Sequence, residues 1–466
     1  MKSIWPLAAL LTIGVGLSSV EGVCIFDPLQ EYCSCLTVDL NSVMSIFPCL
    51  TATIFEFQGG SFEELMRFSS QDLHVAASLL RLPLARIIFA NNVLSEDFVL
   101  AFVKAAYYIS IKELVFENCT FVGNTSWQDI EGSSPKVFSL HFKNISSPDL
   151  FGRTSDISSL SNWMAKMQEL TLTRSQITHI PCNISMHFRT LSYLDLSDNP
   201  LHEQGLKQSF CDGLFPMLEL LRLQNSHLTS LRETCQTLLR FENLKDLDLS
   251  RNNFSHSGLS YSSCTELRTL RNLNLSDTGL VSIDDNLPPN IQILDLSRNR
   301  LQAIDIALSD LKIFILSNNA LKALPSPESG PAVEVLYADG NMITLVHKHH
   351  LQSFKHLRTF SAGQNPYSCS CSSIREMRDL AKSDLEITGW PSGYVCESPA
   401  AHRGTSMNDV DLSWINCHKP PIIGLSCAFI FVVCIGVIIC LVQTRCRLKR
   451  TLESSDSGDQ KVHYRM

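Results

Sequence analysis

The sequence predicts an α/β solenoid of horseshoe form. A parallel sheet lines its concave side, disulfide caps close both ends, and one transmembrane helix follows. Three observations predict it. A leucine-spaced pattern recurs at intervals of 20 to 32 residues. Cysteines cluster on both sides of the recurring stretch. A single uncharged apolar run, residues 422–442, comes after the last of those clusters and has the length of a bilayer-crossing helix.

The recurring pattern is L-x-x-L-x-L-x-x-N-x-L, the signature of leucine-rich repeats. Leu191, Leu194, Leu196, Asn199 and Leu201 match it fully. Ile291, Leu294, Leu296, Asn299 and Leu301, and Leu311, Phe314, Leu316, Asn319 and Leu321, match it with one apolar replacement each. Leu244, Leu247, Leu249, Asn252 and Phe254 give a fourth instance. Units begin near positions 52, 84, 111, 137, 167, 191, 218, 244, 270, 291, 311, 333 and 357. The central L-x-L is a short strand whose leucines alternate inward. One unit cannot bury them alone, so neighbours stack into a leucine-rich-repeat solenoid. The turn after each strand is buried and its backbone polar groups need partners. The Asn supplies them, and Cys119 takes the same position in the unit beginning at Ile111. Cys119 is therefore expected to be a buried free thiol.

The ends carry targeting signals. Lys2, an apolar stretch over residues 4–17, and the small residue Gly22 read as a signal peptide over residues 1–22. The N-terminal cap is placed at 23–51, the solenoid at 52–367, the C-terminal cysteine cap at 368–419, the transmembrane helix at 420–442 and a cytoplasmic tail at 443–466. Arg445, Arg447, Lys449 and Arg450 follow the apolar run, and basic flanks stay cytoplasmic. The expected location is the plasma membrane, single-pass type I, with the bulk of the chain extracellular. Thirteen of the 17 cysteines lie from Cys24 to Cys417, in the compartment where disulfides form. Cys24, Cys33, Cys35 and Cys49 suit the first cap, paired as Cys24–Cys35 and Cys33–Cys49. In the middle, Cys182 with Cys211 and Cys235 with Cys264 share a spacing of 29 and are paired on that basis, although spacing alone leaves connectivity open. Cys427, Cys434, Cys440 and Cys446 lie in or beside the span, with Cys446 a candidate for acylation.

Six glycosylation sequons, at Asn118, Asn124, Asn144, Asn183, Asn253 and Asn274, all fall on the outer side. The formal net charge of −8 gives no support to a nucleic-acid partner. No G-x-S-x-G, H-E-x-x-H or phosphate-binding glycine loop occurs, so no enzyme and no cofactor are expected. His347, Lys348, His349 and His350 lack a helical ligand pair and read as solvated surface, not a metal site. The segment 443–466, with Ser454, Ser455 and Ser457 among its acids, is too short for a signalling domain and is expected to pass the signal to a partner.

Further motifs carry a resemblance. The stretch 191–211, with LSYLDLSDNPL and EQGL, and the stretch 270–301, with LNLSDTGL, LPPNIQ and LDLSRNRL, resemble the monocyte differentiation antigen family, whose members serve as lipopolysaccharide co-receptors. The early CxC and the two long-spaced cysteine pairs fit as well. The resemblance covers roughly residues 24–324. It implies a pattern-recognition co-receptor that binds lipopolysaccharide or other acylated lipids and presents them to a Toll-like receptor complex. Two features depart from that family. Its members usually end in a lipid anchor, and the segment after position 357 is closer to the caps of Toll-like receptors. That cap, with Cys369, Cys371, Cys396 and Cys417, resembles those of extracellular leucine-rich-repeat proteins, which implies Cys369–Cys396 and Cys371–Cys417. A dimer is one oligomeric state open to such a chain. The alternative reading is a leucine-rich-repeat adhesion or decoy receptor that binds protein ligands on its concave face.

Excess hydrophobicity marks a candidate lipid pocket. Residues 98–103 are apolar all round, whereas a convex helix needs one apolar stripe. The pocket candidates are Phe68, Val75, Leu79, Leu80, Leu82, Phe98, Leu100, Phe102, Val103 and Tyr107, and deep burial in the core competes with this reading. Family members bind lipid in an N-terminal apolar pocket, which the resemblance carries here. Arg67, Arg81 and Arg86 are candidates to meet phosphate at its rim. Asn274, between Leu273 and Leu275, faces the concave side, so a glycan there is expected to keep the main ligand site away from the middle of that face.

Overall fold

The computed structural model describes residues 24–36, 43–59, 83–99, 102, 111–123, 137–146, 164–255, 263–283 and 287–456. Sixteen strands form one continuous sheet. It opens with an antiparallel hairpin of Cys24–Asp27 against Tyr32–Leu36. Every later pairing along it is parallel, from Ile54–Gln58 to Glu386–Ile387. In each of the thirteen repeat units the strand starts two residues after the position read from the sequence; the unit at 191, for example, gives Tyr193–Asp195. The fold class is therefore the leucine-rich-repeat horseshoe.

The register shows why the pattern works. Leu194, Leu221, Leu247, Leu273, Leu294, Phe314, Leu336 and Phe360 pair in one column, all buried. Two residues on, the early units carry aromatics. Phe57, Phe89, Phe116 and Phe142 stack in sequence at centroid distances of 5.5, 5.3 and 5.4 Å. From the unit at 191 onward that column is aliphatic, beginning Leu196, Leu223, Leu249 and Leu275. The early strands run five residues and the later ones three.

The buried turns are held by an asparagine ladder. Asn199 Nδ2 donates to Leu172 O of the preceding unit (2.6 Å), and its Oδ1 accepts from Ser175 N and Ile177 N. Asn252 and Asn299 repeat this toward Leu223 and Leu275. Between them, Ser226 and Thr278 hold the position and donate to carbonyls of their own units. Asparagine therefore clamps alternate junctions in the middle of the chain, then every junction from Asn299 to Asn365. The disulfides Cys182–Cys211 and Cys235–Cys264 cross the junctions that Asn199 and Asn252 clamp. Just before each ladder position the chain turns through positive φ, as at Asn118, Asn144, Asp198, Asn225 and Arg298. Short polar residues tolerate that conformation better than branched ones.

Both caps contain two disulfides: Cys24–Cys35 and Cys33–Cys49 at the start, Cys369–Cys396 and Cys371–Cys417 at the end. In the second cap Tyr367 and Tyr394 stack at 5.8 Å, fully buried. Tyr367 Oη donates to Ala362 O and Tyr394 Oη accepts from Ala362 N, so the last repeat strand finds partners beyond the stack. Arg378 donates to the carbonyls of Met407, Asn408 and Val410 and closes the cap. The helix Trp414–Asp456 follows. Its stretch 426–450 is long and apolar enough to cross a membrane, with Phe429, Phe431 and Val432 exposed along it.

Candidate ligand-binding surfaces

On the repeat strands the residues that alternate with the inward-facing ones stand on the concave floor. In the N-terminal part these residues form a charged network. Arg86 Nε lies 3.2 Å from Glu113 Oε1, and His141 Nε2 lies 3.4 Å from the same oxygen and 3.9 Å from Glu169 Oε2. His141 Nδ1 and Thr171 Oγ1 share a hydrogen bond of 2.8 Å. Burial, and then the charges of Lys143 and Arg86, push the His141 imidazole down to about 4. The ring is neutral at pH 7, so its carboxylate contacts are polar contacts and not ion pairs. Burial also raises the Glu113 carboxyl, against the pull of Arg86. Arg86, a candidate for the rim of a lipid pocket, thus sits on the concave floor with a carboxylate partner. Arg67 and Arg81 lie outside the described residues.

Farther along, Arg222 lies over the Tyr193 ring at 5.5 Å. A polar cavity of about 280 Å³ borders the strand ends here, lined by Lys143, Arg174, Arg222, Asp195 and Asp198 among others. Two sequon asparagines, Asn118 and Asn144, stand at its edge. They belong to a surface ladder in which Asn144 Nδ2 donates to Asn118 Oδ1 and Asn118 Nδ2 donates to Asn91 Oδ1. Charge is locally uneven on this face, so the whole-chain sum of −8 is not carried forward as an exclusion of nucleic acid.

Of the lipid-pocket candidates, Phe98 and Phe102 are described. Both pack edge-on against Phe89, at 5.7 and 5.1 Å, and Phe98 is buried. These two rings serve the aromatic core. Phe68, Val75, Leu79, Leu80, Leu82, Leu100, Val103 and Tyr107 lie outside the described residues. Asn183 and Asn253 are exposed, Asn274 is half-buried on the concave floor, and Asn124 lies outside the described residues. Cys119 is buried, and its thiol donates to Phe89 O and Glu117 O as an Asn would. Burial raises its pKa. His347 faces Glu376 at 3.6 Å, and His350 Nε2 is hydrogen-bonded to Pro325 O at 2.9 Å. Sequence reasoning missed the Arg86–Glu113–His141 network. Superposing the units would have found it, because all three occupy floor positions of successive strands.

The repeat geometry has counterparts among known proteins. A Leucine Rich Repeat family model matches residues 243–267. Toll-like receptor 2 of Homo sapiens is 34% identical over 361 residues, which is 76% of this chain and 45% of that protein. Toll-like receptor 2 of Bison bison is 32% identical over 353 residues, 75% of this chain and 44% of the relative. Among solved structures, an internalin from Listeria monocytogenes aligns with a TM-score of 0.45 and 15% identity, covering 66% of this chain and 80% of its own. The chain spans about half the length of the curated relatives it matches. It is a leucine-rich-repeat protein related in sequence to Toll-like receptor 2.

Proposed function

We propose that this protein is a cell-surface pattern-recognition receptor of innate immunity, held by one membrane helix. In this reading it acts as a co-receptor: it takes lipopolysaccharide or related acylated lipids into an N-terminal apolar pocket and passes them to a Toll-like receptor complex. The observation that carries the receptor reading is the 34% identity to Toll-like receptor 2 across three quarters of the chain. The motifs shared with the lipopolysaccharide co-receptor family favour the lipid role. An acyl chain gains about 0.8 kcal/mol per buried CH₂, so an apolar pocket holds it without charged contacts.

The test is direct binding of lipopolysaccharide to the full chain in nanodiscs, with Leu79→Asp as the pocket variant and surface delivery as the check on folding. Phe102 is a poorer target, because its ring packs on Phe89 and its replacement disturbs the core. Loss of binding in well-delivered Leu79→Asp supports the pocket. Parental affinity in that variant places the lipid elsewhere, and no binding by the parent removes the lipid role.

A further inference from the structure

The concave floor changes character along its length. Up to Arg222 it mixes acids and bases. From the strand Asp246–Asp248 to the strand Thr359–Ser361, the twelve floor positions include Asp246, Asp248 and Asp295 and no Lys or Arg. Beside these acids the floor is apolar. Parallel register sets Ile293, Ile313 and Val335 in one row, and Ile315 and Tyr337 after Asp295 in the next. A cavity of about 250 Å³ opens where Leu220, Ile293 and Ile315 meet Asp246, Asp248 and Asp295, with Arg222, which lies over the Tyr193 ring, on its N-terminal wall.

Hydrogen bonds from the backbone orient the carboxylates on this floor. Asp248 Oδ1 accepts from Ser250 N at 2.9 Å and Asp295 Oδ1 from Ser297 N at 2.8 Å. Two of the bases at the rim are engaged elsewhere. Lys245 Nζ lies 2.7 Å from Glu219 Oε1, and Arg271 Nη1 donates to the carbonyls of Arg268 and Asn290.

We propose that this half of the concave face docks a protein segment whose apolar side chains alternate with Lys or Arg. Charge complementarity selects that occupant. Lysine and arginine lay aliphatic stems along apolar surface while their charged heads seek carboxylates. Leu220, Ile293 and Ile315 beside three aspartates present both requirements at once. Lipid phosphates and nucleic acids meet repulsion here, so the surface is separate from any lipid pocket. Asn274, between Asp248 and Asp295 in the register, lies inside this surface, so a glycan there competes with the segment at the aspartates. A glycan there leaves Ile313, Val335 and Tyr337 open toward the C-terminal cap.

The experiment uses the full chain in nanodiscs of zwitterionic phospholipid, with empty nanodiscs subtracted. The probes are a peptide of alternating Leu and Lys and its Leu/Glu counterpart. The Leu/Lys peptide should bind and the Leu/Glu peptide should not. Affinity should fall by about tenfold or more in Asp248→Asn/Asp295→Asn and in Ile313→Ser/Ile315→Ser. It should hold in Asp305→Asn/Asp310→Asn, which changes charge equally off the floor. Ser276→Ala removes the sequon and should leave affinity unchanged or higher. The proposal is overturned if the parent does not bind, if the floor variants bind like the parent, if the off-floor control weakens as much, or if Ser276→Ala abolishes binding.

Discussion

Asn252 is held by five buried hydrogen bonds, three donated to Leu223 O, Leu249 O and Ser250 O and two accepted from Ser226 N and Leu228 N. Leaving a buried backbone group without a partner costs about 1–3 kcal/mol. Asn252→Ala orphans several at once, so a loss of about 3 kcal/mol or more is expected. Hydrogen exchange reads it locally: the amides of Ser226 and Leu228 should exchange much faster in the variant. Unchanged exchange there would show that the ladder is dispensable. Cys119 occupies the same kind of slot with a poorer donor. Its burial and raised pKa predict that the Cys119 peptide resists alkylation in the native protein at pH 8 and labels fully in denaturant. Rapid native labelling would mean that the thiol is open to solvent.

Among the strands, the floor network around His141 gives stability a pH dependence with a definite sign. Its folded pKa of about 4 lies below the ordinary 6.5, so the unfolded chain binds more protons between those values. Stability therefore falls as pH drops through that window, by an amount on the order of 3 kcal/mol. Glu113 opposes it: its raised pKa makes the folded state the better proton binder just above 4.5. His141→Gln isolates the imidazole, and its melting temperature should decline less than the parent's from pH 7 to pH 5. Parallel declines would assign the dependence to other groups. The strands themselves were legible because leucine spacing is a direct consequence of one-sided burial: Leu194, Leu247 and Phe314 fall where the pattern puts them. The floor was not legible to the same degree. Its residues neighbour one another across units, 20 to 30 positions apart, and the leucine pattern leaves their identity unspecified, so Arg86 meets Glu113, and Ile293 meets Ile313, only once the units are aligned. The lipid-pocket segment reads as excess hydrophobicity in the sequence, and its two described rings, Phe98 and Phe102, turn that excess into core packing on Phe89.

At the scale of the whole molecule, the helix Trp414–Asp456 and its basic residues past position 444 predict a type I orientation. An antibody to the last ten residues should label cells only after permeabilisation. Release by a phospholipase specific for glycosyl-phosphatidylinositol would show a lipid anchor instead. A ligand gripped by such a tethered arch pulls against its anchor. Asn199 with Cys182–Cys211, and Asn252 with Cys235–Cys264, act as rivets that join units in pairs. The junctions between the units at 191 and 218, and between those at 244 and 270, carry neither rivet. From the unit at 167 onward, load transmitted along the arch concentrates at those two seams. They are where that part of the horseshoe yields first in a force-extension measurement, and where its curvature adjusts to what it holds.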